Sequence, residues 1–223
     1  MTTSQGKLKL WTAKNTFVNP SRLRLMMLEK GILDQYEEVY IDMIEKGDQK
    51  SWRHTKRNPW GETPSLELPD GSILSETTAI ARYMDSMHEG RKFMGESVLE
   101  QALDQQWDQR IWHQALGPEL ELTYNPRWGE HCRKEALATA AMLDRHLSDG
   151  RKWVLDGEEP TFCDTTLCVA IYLGKFGPMH TDLALRFEYL DKYWQRWQGR
   201  DSFKRNYADG GELEELAYLK NVQ

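Results

Sequence analysis

Along the first 88 residues the apolar positions change period several times. Lys7 to Trp11 (KLKLW) alternates with the period of two that half-buries a strand. Pro20 to Lys30 (PSRLRLMMLEK) instead spaces its apolar residues for a helix and stops at Gly31, a residue suited to ending one. Tyr36 to Ile41 reads as a second strand, and Asp48 to Lys56 as a weak, polar helix. Ser65 to Leu68 and Ile73 to Ser75 flank Pro69-Asp70-Gly71. Proline fixes φ at one turn position and glycine accepts a positive φ at another, so a hairpin is expected there. A helix over Glu76 to Ser86 closes the series. His88 to Ser97 is rich in glycine and charge and is expected to be a linker. Beyond it every periodic segment is helical: Leu99 to Leu116, ending near Gly117-Pro118; Glu130 to Leu147; the nearly apolar Thr161 to Phe176; and Leu183 to Trp197. The charged tail after Asp209-Gly210-Gly211 is expected to cap the bundle.

The order β-α-β-α-β-β-α matches a thioredoxin-like α/β layout, a small mixed sheet with helices on both faces. The expected organisation is therefore a thioredoxin-like domain over residues 1–87, a linker over 88–97 and an all-α domain over 98–223. A chain of 223 residues is long enough for each part to bury its own core. No run approaches the roughly 18 apolar residues of a membrane span, and the start MTTSQGKLKLW lacks the pattern of a secretory signal. A cytoplasmic location is expected. The three cysteines, Cys132, Cys163 and Cys168, form no metal-ligand spacing, so no metal is expected, and an odd, sparse set fits a reducing compartment. The net charge of −6, with the acidic excess confined to the residues after 88, argues against a nucleic-acid partner.

Two short stretches carry candidate chemistry. A cis proline at Pro64, opening the third strand, would leave the main chain of Thr63 unpaired and able to accept an extended peptide as an added strand; a trans proline would merely start an edge strand. Glu76 and Thr77 stand at the head of the following helix, where free N–H groups and the dipole favour a carboxylate while Glu76 offers a partner to an ammonium. Together they suit an α-amino acid group. The alternative is an ordinary helix start, with Ser75 as the capping residue.

The run from Asn58 to Tyr83 (NPWGETPSLELPDGSILSETTAIARY) resembles the NPxGxVPxLxLxDGxxxxESxAIxRY signature of cytosolic glutathione transferases, with Thr63 in place of Val and Thr77 in place of Ser. The resemblance implies that Thr63 pairs with the cysteinyl backbone of glutathione and that Glu76 and Thr77 hold its γ-glutamyl end. Lys46-Gly-Asp-Gln-Lys50 resembles the KGEHK run of bacterial and fungal members, which implies Gln49 and Lys50 near the glycine carboxylate. Glu159 to Leu167 (EPTFCDTTL) resembles the start of the family's buried core helix. There Thr161 is expected to cap the helix, its hydroxyl accepting from the N–H near Asp164 while Asp164 reaches back.

In the family a Tyr, Ser or Cys after the first strand donates to the glutathione sulfur. Here that loop holds neither Tyr nor Cys, and Asn19-Pro-Ser-Arg-Leu-Arg with Leu28-Glu-Lys-Gly resembles an atypical bacterial and fungal subgroup with an N-P-x-R first-helix motif. Thr16 is the first candidate for the hydroxyl donor, with Asn19 close to the sulfur and Ser21 as the alternative. The electrophile pocket is expected between the domains, at Phe17, Trp112 and His113. The function implied is attack of glutathione thiolate, as co-substrate, on a small hydrophobic electrophile. Glutathione-dependent peroxidase or disulfide reductase chemistry, and a non-catalytic scaffold of the same fold, are the alternatives. The resemblance also implies a homodimer.

Overall fold

The computed structural model describes residues 7–13, 17–43, 46–124, 127, 129–176, 181–184 and 186–208; at 119 and 122–124 only the backbone is described. It divides into two compact units, Met1–Gly90 and Arg91–Gln223. The first holds β1 (Leu8–Thr12), α1 (Val18–Glu29), β2 (Tyr36–Tyr40), α2 (Trp52–Thr55), β3 (Ser65–Glu67), β4 (Ile73–Ser75) and α3 (Thr77–Met87). The strands form one sheet in the order β2-β1-β3-β4, with β1 parallel to β2 and the other two pairs antiparallel.

The α1 face is set by its apolar run. Leu23, Leu25, Met26 and Met27 are fully buried, α1 packs against α3, and the core is completed by Leu10, Leu66, Ile80 and Met84. The helix ends where glycine was expected to end it: Gly31 takes φ +66° and the Ile32 N–H reaches back to the Met27 carbonyl (2.9 Å), closing the last turn. A buried ion pair, Lys30 Nζ to Asp85 (2.7 Å), ties this end to α3. The polar segment expected as one helix is a 3-10 turn at Asp48–Lys50 followed by the single-turn α2. The extended Ser51 between them caps α2, accepting from the His54 N–H.

The second unit is helical: α4 (Val98–Ile111), α5 (Gly117–Tyr124), α6 (Gly129–Leu147), α7 (Phe162–Phe176), α8 (Glu188–Gly199) and α9 (Asp201–Asn206). Twelve of the 15 residues of α7 are buried, which makes it the core helix its composition predicted. Its start departs from expectation in one half. Asp164 does reach back to the Thr161 N–H (2.8 Å), but the Thr161 hydroxyl donates to the Asp164 carboxylate (3.2 Å) instead of accepting, because the Asp164 N–H is taken by the Thr161 carbonyl. Asp164 also accepts from the Val154 N–H (2.8 Å) and the Tyr193 hydroxyl (3.0 Å), so one buried carboxylate joins α7, α8 and the preceding loop.

Two helix bounds of the second unit were misjudged by several residues. The helix expected to stop at Gly117-Pro118 runs on through a π turn at Trp112–Leu116 into α5. The Gly117 N–H bonds the Trp112 carbonyl five residues back, and a side chain there would come within 3.0 Å of that oxygen, so glycine permits the wide turn. The helix expected from Leu183 begins at Glu188; Leu183 and Ala184 are buried in a turn, and α8 receives its capping acceptor from α6, where Asp144 accepts from the N–H groups of Tyr189 (2.7 Å) and Leu190 (3.0 Å). A cap supplied from another helix leaves no local sequence mark. The expected capping tail, beyond residue 208, lies outside the described residues. Among the described residues no helix is long and apolar enough to cross a membrane.

Candidate functional site

Strand register brings three chain ends to one rim of the sheet. Trp11 near the end of β1 faces Ser65 at the start of β3, and Ser65 faces Ser75 at the end of β4. The chain leaving β1 enters α1, the chain entering β3 arrives through Thr63-Pro64, and the chain leaving β4 enters α3 through Glu76-Thr77. Residues as far apart in sequence as Trp11 and Thr77 thus come to one edge.

The Thr63-Pro64 bond is cis, the first of the two readings of that dipeptide. Thr63 lies outside the ladder, and among the described residues neither its N–H nor its carbonyl has a backbone partner, so both remain able to pair with an added strand. Its hydroxyl donates to Met43 Sδ (3.1 Å), whose carbonyl in turn accepts from Gln49 Nε2 (3.3 Å). Met43 thereby links Gln49 to Thr63. Lys50 donates from Nζ to the Trp60 carbonyl (3.0 Å), and Gly61, at φ +62°, passes so close that a Cβ would stand 2.7 Å from the Gln49 carbonyl. Glycine is required there on both counts.

Ser75 is the last residue of β4, so it is not the cap of α3. That position falls to Glu76, at φ 71° and ψ 118°, with no capping bond from its side chain. A non-glycine residue in this region is strained by about 1–3 kcal/mol. The exposed carboxylate makes no capping bond to its own helix, and the buried Thr77 is the first helical residue, at the positive end of the dipole.

The head of α1 is similar. Its capping residue, the half-buried Phe17, has no side-chain acceptor, and no acid stands in the first turn. Because α1 begins at Val18 and not at Pro20, Asn19 occupies the first turn. Its Oδ1 accepts from Arg22 Nη1 (3.1 Å), which turns the amide nitrogen the other way, without a partner among the described residues. Ser21 is one step deeper: it is buried, and its N–H already bonds the Phe17 carbonyl (2.9 Å). Thr16 lies outside the described residues.

The chain that builds this rim has relatives among known proteins. The N-terminal domain model of glutathione S-transferases matches residues 19–87. Glutathione S-transferase F12 of Arabidopsis thaliana is 31% identical over 202 residues, covering 83% of this chain and 91% of that protein. The chain belongs to the glutathione S-transferase family. Glutathione S-transferase 2 of Saccharomyces cerevisiae is 28% identical over 200 residues, covering 83% of the transferase chain and 84% of the yeast protein. Elongation factor 1-gamma 2 of Oryza sativa matches a similar span (26% identity, 83% of this chain) with 46% of its own length. The fold is shared with Gtt2 of S. cerevisiae (TM-score 0.74, 24% identity, 89% and 99% coverage). It is shared equally with a Methylobacillus flagellatus glutathione S-transferase solved with GSH bound (TM-score 0.77, 19% identity, 90% and 98% coverage).

Two predicted pocket residues of the transferase lie in its second unit, on the π turn. Trp112 is half-buried, and His113 is exposed, its Nε2 3.3 Å from Gln109 Oε1. Residues that the sequence reading missed stand just ahead of Thr63: the buried His54 and Asn58, which both bond the Glu62 carbonyl. Their trace in the sequence is a pair of polar residues four apart, one helical turn, facing inward from an otherwise solvated segment.

Proposed function

We propose that the protein is a glutathione transferase of the atypical N-P-x-R subgroup, working as a homodimer in a reducing cytoplasm, and that it activates glutathione at the sheet rim for attack on a small apolar electrophile. Thr63 takes the cysteinyl backbone as an added strand. Glu76 takes the γ-glutamyl ammonium and the head of α3 at Thr77 takes its carboxylate, while Gln49 and Lys50 serve the glycine end. The observation that carries this reading is the coincidence, on one rim, of an unpaired strand edge at Thr63, a strained acid at Glu76 and a helix head at α1 without its own cap.

The chemistry asks for a modest stabilisation. A thiol with a pKa near 8.5 is about 3% ionised at pH 7, and lowering it by about two units needs roughly 2.7 kcal/mol. A hydrogen bond to a charged group contributes roughly 1.5–3 kcal/mol and a helix head roughly 0.3–1. One donor and the α1 head together suffice. Asn19 is the favoured donor on geometry, since its amide nitrogen stands in the first turn without a partner among the described residues; Thr16 is the hydroxyl candidate, and the buried Ser21 stands behind both. Phe17 supplies an apolar surface beside them.

The test is the ultraviolet thiolate absorbance of bound glutathione from pH 5 to 10, in the wild type and in Asn19→Leu, Thr16→Ala and Ser21→Ala. Ionisation well below pH 8.5, moved up by one substitution, supports the reading and identifies the donor. The match to an elongation factor favours a second reading, a binding scaffold. Binding with no depression of the thiol, or no binding, decides for it.

A further inference from the structure

We infer that His54 is a positioning residue for glutathione: together with Asn58 it clamps the Glu62 carbonyl and so aims the Thr63 N–H that the peptide must meet. The inference rests on the glutathione reading of the rim. His54 Nε2 stands 3.2 Å and Asn58 Nδ2 2.9 Å from the same carbonyl oxygen. The two residues are 3% and 2% exposed, whereas the side chain of Glu62 is in solvent. Two enclosed donors thus converge on a single main-chain acceptor immediately before Thr63.

The consequence follows from peptide geometry. The carbonyl of residue 62 and the N–H of residue 63 share one planar, trans unit and point in opposite directions. Fixing the carbonyl toward α2 therefore fixes the Thr63 N–H away from it. Asn58 alone could hold the oxygen but not the rotation of the plane, which a second donor from another direction restrains.

His54 is an odd choice for a purely structural position. To donate from Nε2 while neutral, the ring must carry its proton there, and Nδ1 is then an acceptor, buried without a partner among the described residues. A phenylalanine or leucine would fill the space without that orphan, so the histidine carries a cost in stability at this position. Charging the ring would add an unmatched N–H at Nδ1. Burial foremost, and then the cations Arg57 and Lys50, hold the ring's pKa below its ordinary value, against the pull of the Glu62 carbonyl. The neutral Nε2–H form is the one that serves the clamp.

Calorimetric titration of glutathione into the wild type, His54→Phe and His54→Gln tests this, with thermal unfolding of each. The expected result is binding at least fivefold weaker in His54→Phe with no loss of melting temperature, and recovery to within twofold of wild type in His54→Gln, whose amide can reach the same oxygen. Binding by His54→Phe within twofold of wild type overturns the proposal while leaving the glutathione reading intact. If the wild type does not bind glutathione, that reading fails by itself, and the clamp is decided by nuclear magnetic resonance of the free wild-type protein, which also serves if His54→Phe does not fold. The ring is expected neutral and protonated on Nε2 at pH 7, and the Thr63 amide resonance is expected to move with the ring's titration on acidification. A proton on Nδ1, or a Thr63 amide indifferent to that titration, overturns it.

Discussion

Glu76 shows how much one residue can hold in tension. Its backbone is in a region that costs about 1–3 kcal/mol for a side chain with a Cβ, and its carboxylate stands exposed at the head of α3, where the ammonium is proposed to bind. Glu76→Gly relieves part of that strain, against an added unfolded-chain entropy of about 0.4–1 kcal/mol. Its melting temperature is accordingly expected to equal or exceed that of the wild type, while glutathione binds about tenfold more weakly, near the lower end of what a hydrogen bond to a charged group supplies. Thermal unfolding and calorimetry check the two halves, and a variant that loses stability would remove the strain argument. The place of Glu76 and Thr77 at a helix head was legible in the sequence, because an acid and a hydroxyl ahead of a helical run are a local pattern. The strain was not, because φ at residue 76 is imposed by the register of β4 and the start of α3. His54 was illegible for a related reason: in a run of Lys, Arg and Trp it looks solvated, and only the fold turns it inward.

Among the elements, α7 carries a buried acidic surround that its apolar sequence does not announce. Asp104 of α4 accepts from the Cys163 N–H (3.0 Å) and Asp108, one turn on, from the Thr166 hydroxyl (2.5 Å), with Asp164 close by. Burial first, with Asp164 and Asp108 adding, pushes Asp104 up to about 6, and burial likewise pushes Asp164 up to about 6. A carboxyl whose folded value lies above its unfolded value of about 4 contributes stability that is full below pH 4 and is lost as pH rises through 6. His54 and His146, lowered chiefly by burial, work in the opposite sense. The difference between Asp104→Asn and wild type isolates the carboxyl. In urea unfolding followed by tryptophan fluorescence, the variant is expected to match wild type at about pH 3.5 and to exceed it by about 1–3 kcal/mol at about pH 7.5. A difference independent of pH would show that Asp104 titrates normally. The acids at i and i+4 on α4 were in plain view in the sequence, but on a helix that reads as amphipathic they pass for a solvated stripe until α7 is packed on them.

For the whole molecule, the proposed homodimer rests on family resemblance and on exposed apolar side chains that a partner could cover, among them Trp60 (75% exposed), Val98 (85%) and Leu99. A stable interface needs roughly 1,200–2,000 Å² of buried surface. Sedimentation equilibrium is expected to give twice the chain mass of 26.1 kDa at micromolar concentration, and Trp60→Glu to shift it toward one; a wild type that stays at one chain mass overturns the assembly. At this scale the sequence by itself determined the division into an α/β half and a helical half, the hairpin at Pro69-Asp70-Gly71, the end of α1 at Gly31 and the family, because periodicity, turn chemistry and short motifs are local properties. Tertiary structure alone decided where α8 begins, why the helix runs through Gly117-Pro118, which way Thr161 and Asp164 bond, and how His54 and Asn58 meet the Glu62 carbonyl. Those outcomes depend on groups distant in sequence competing for the same donors and acceptors, and that competition is settled only when the elements pack.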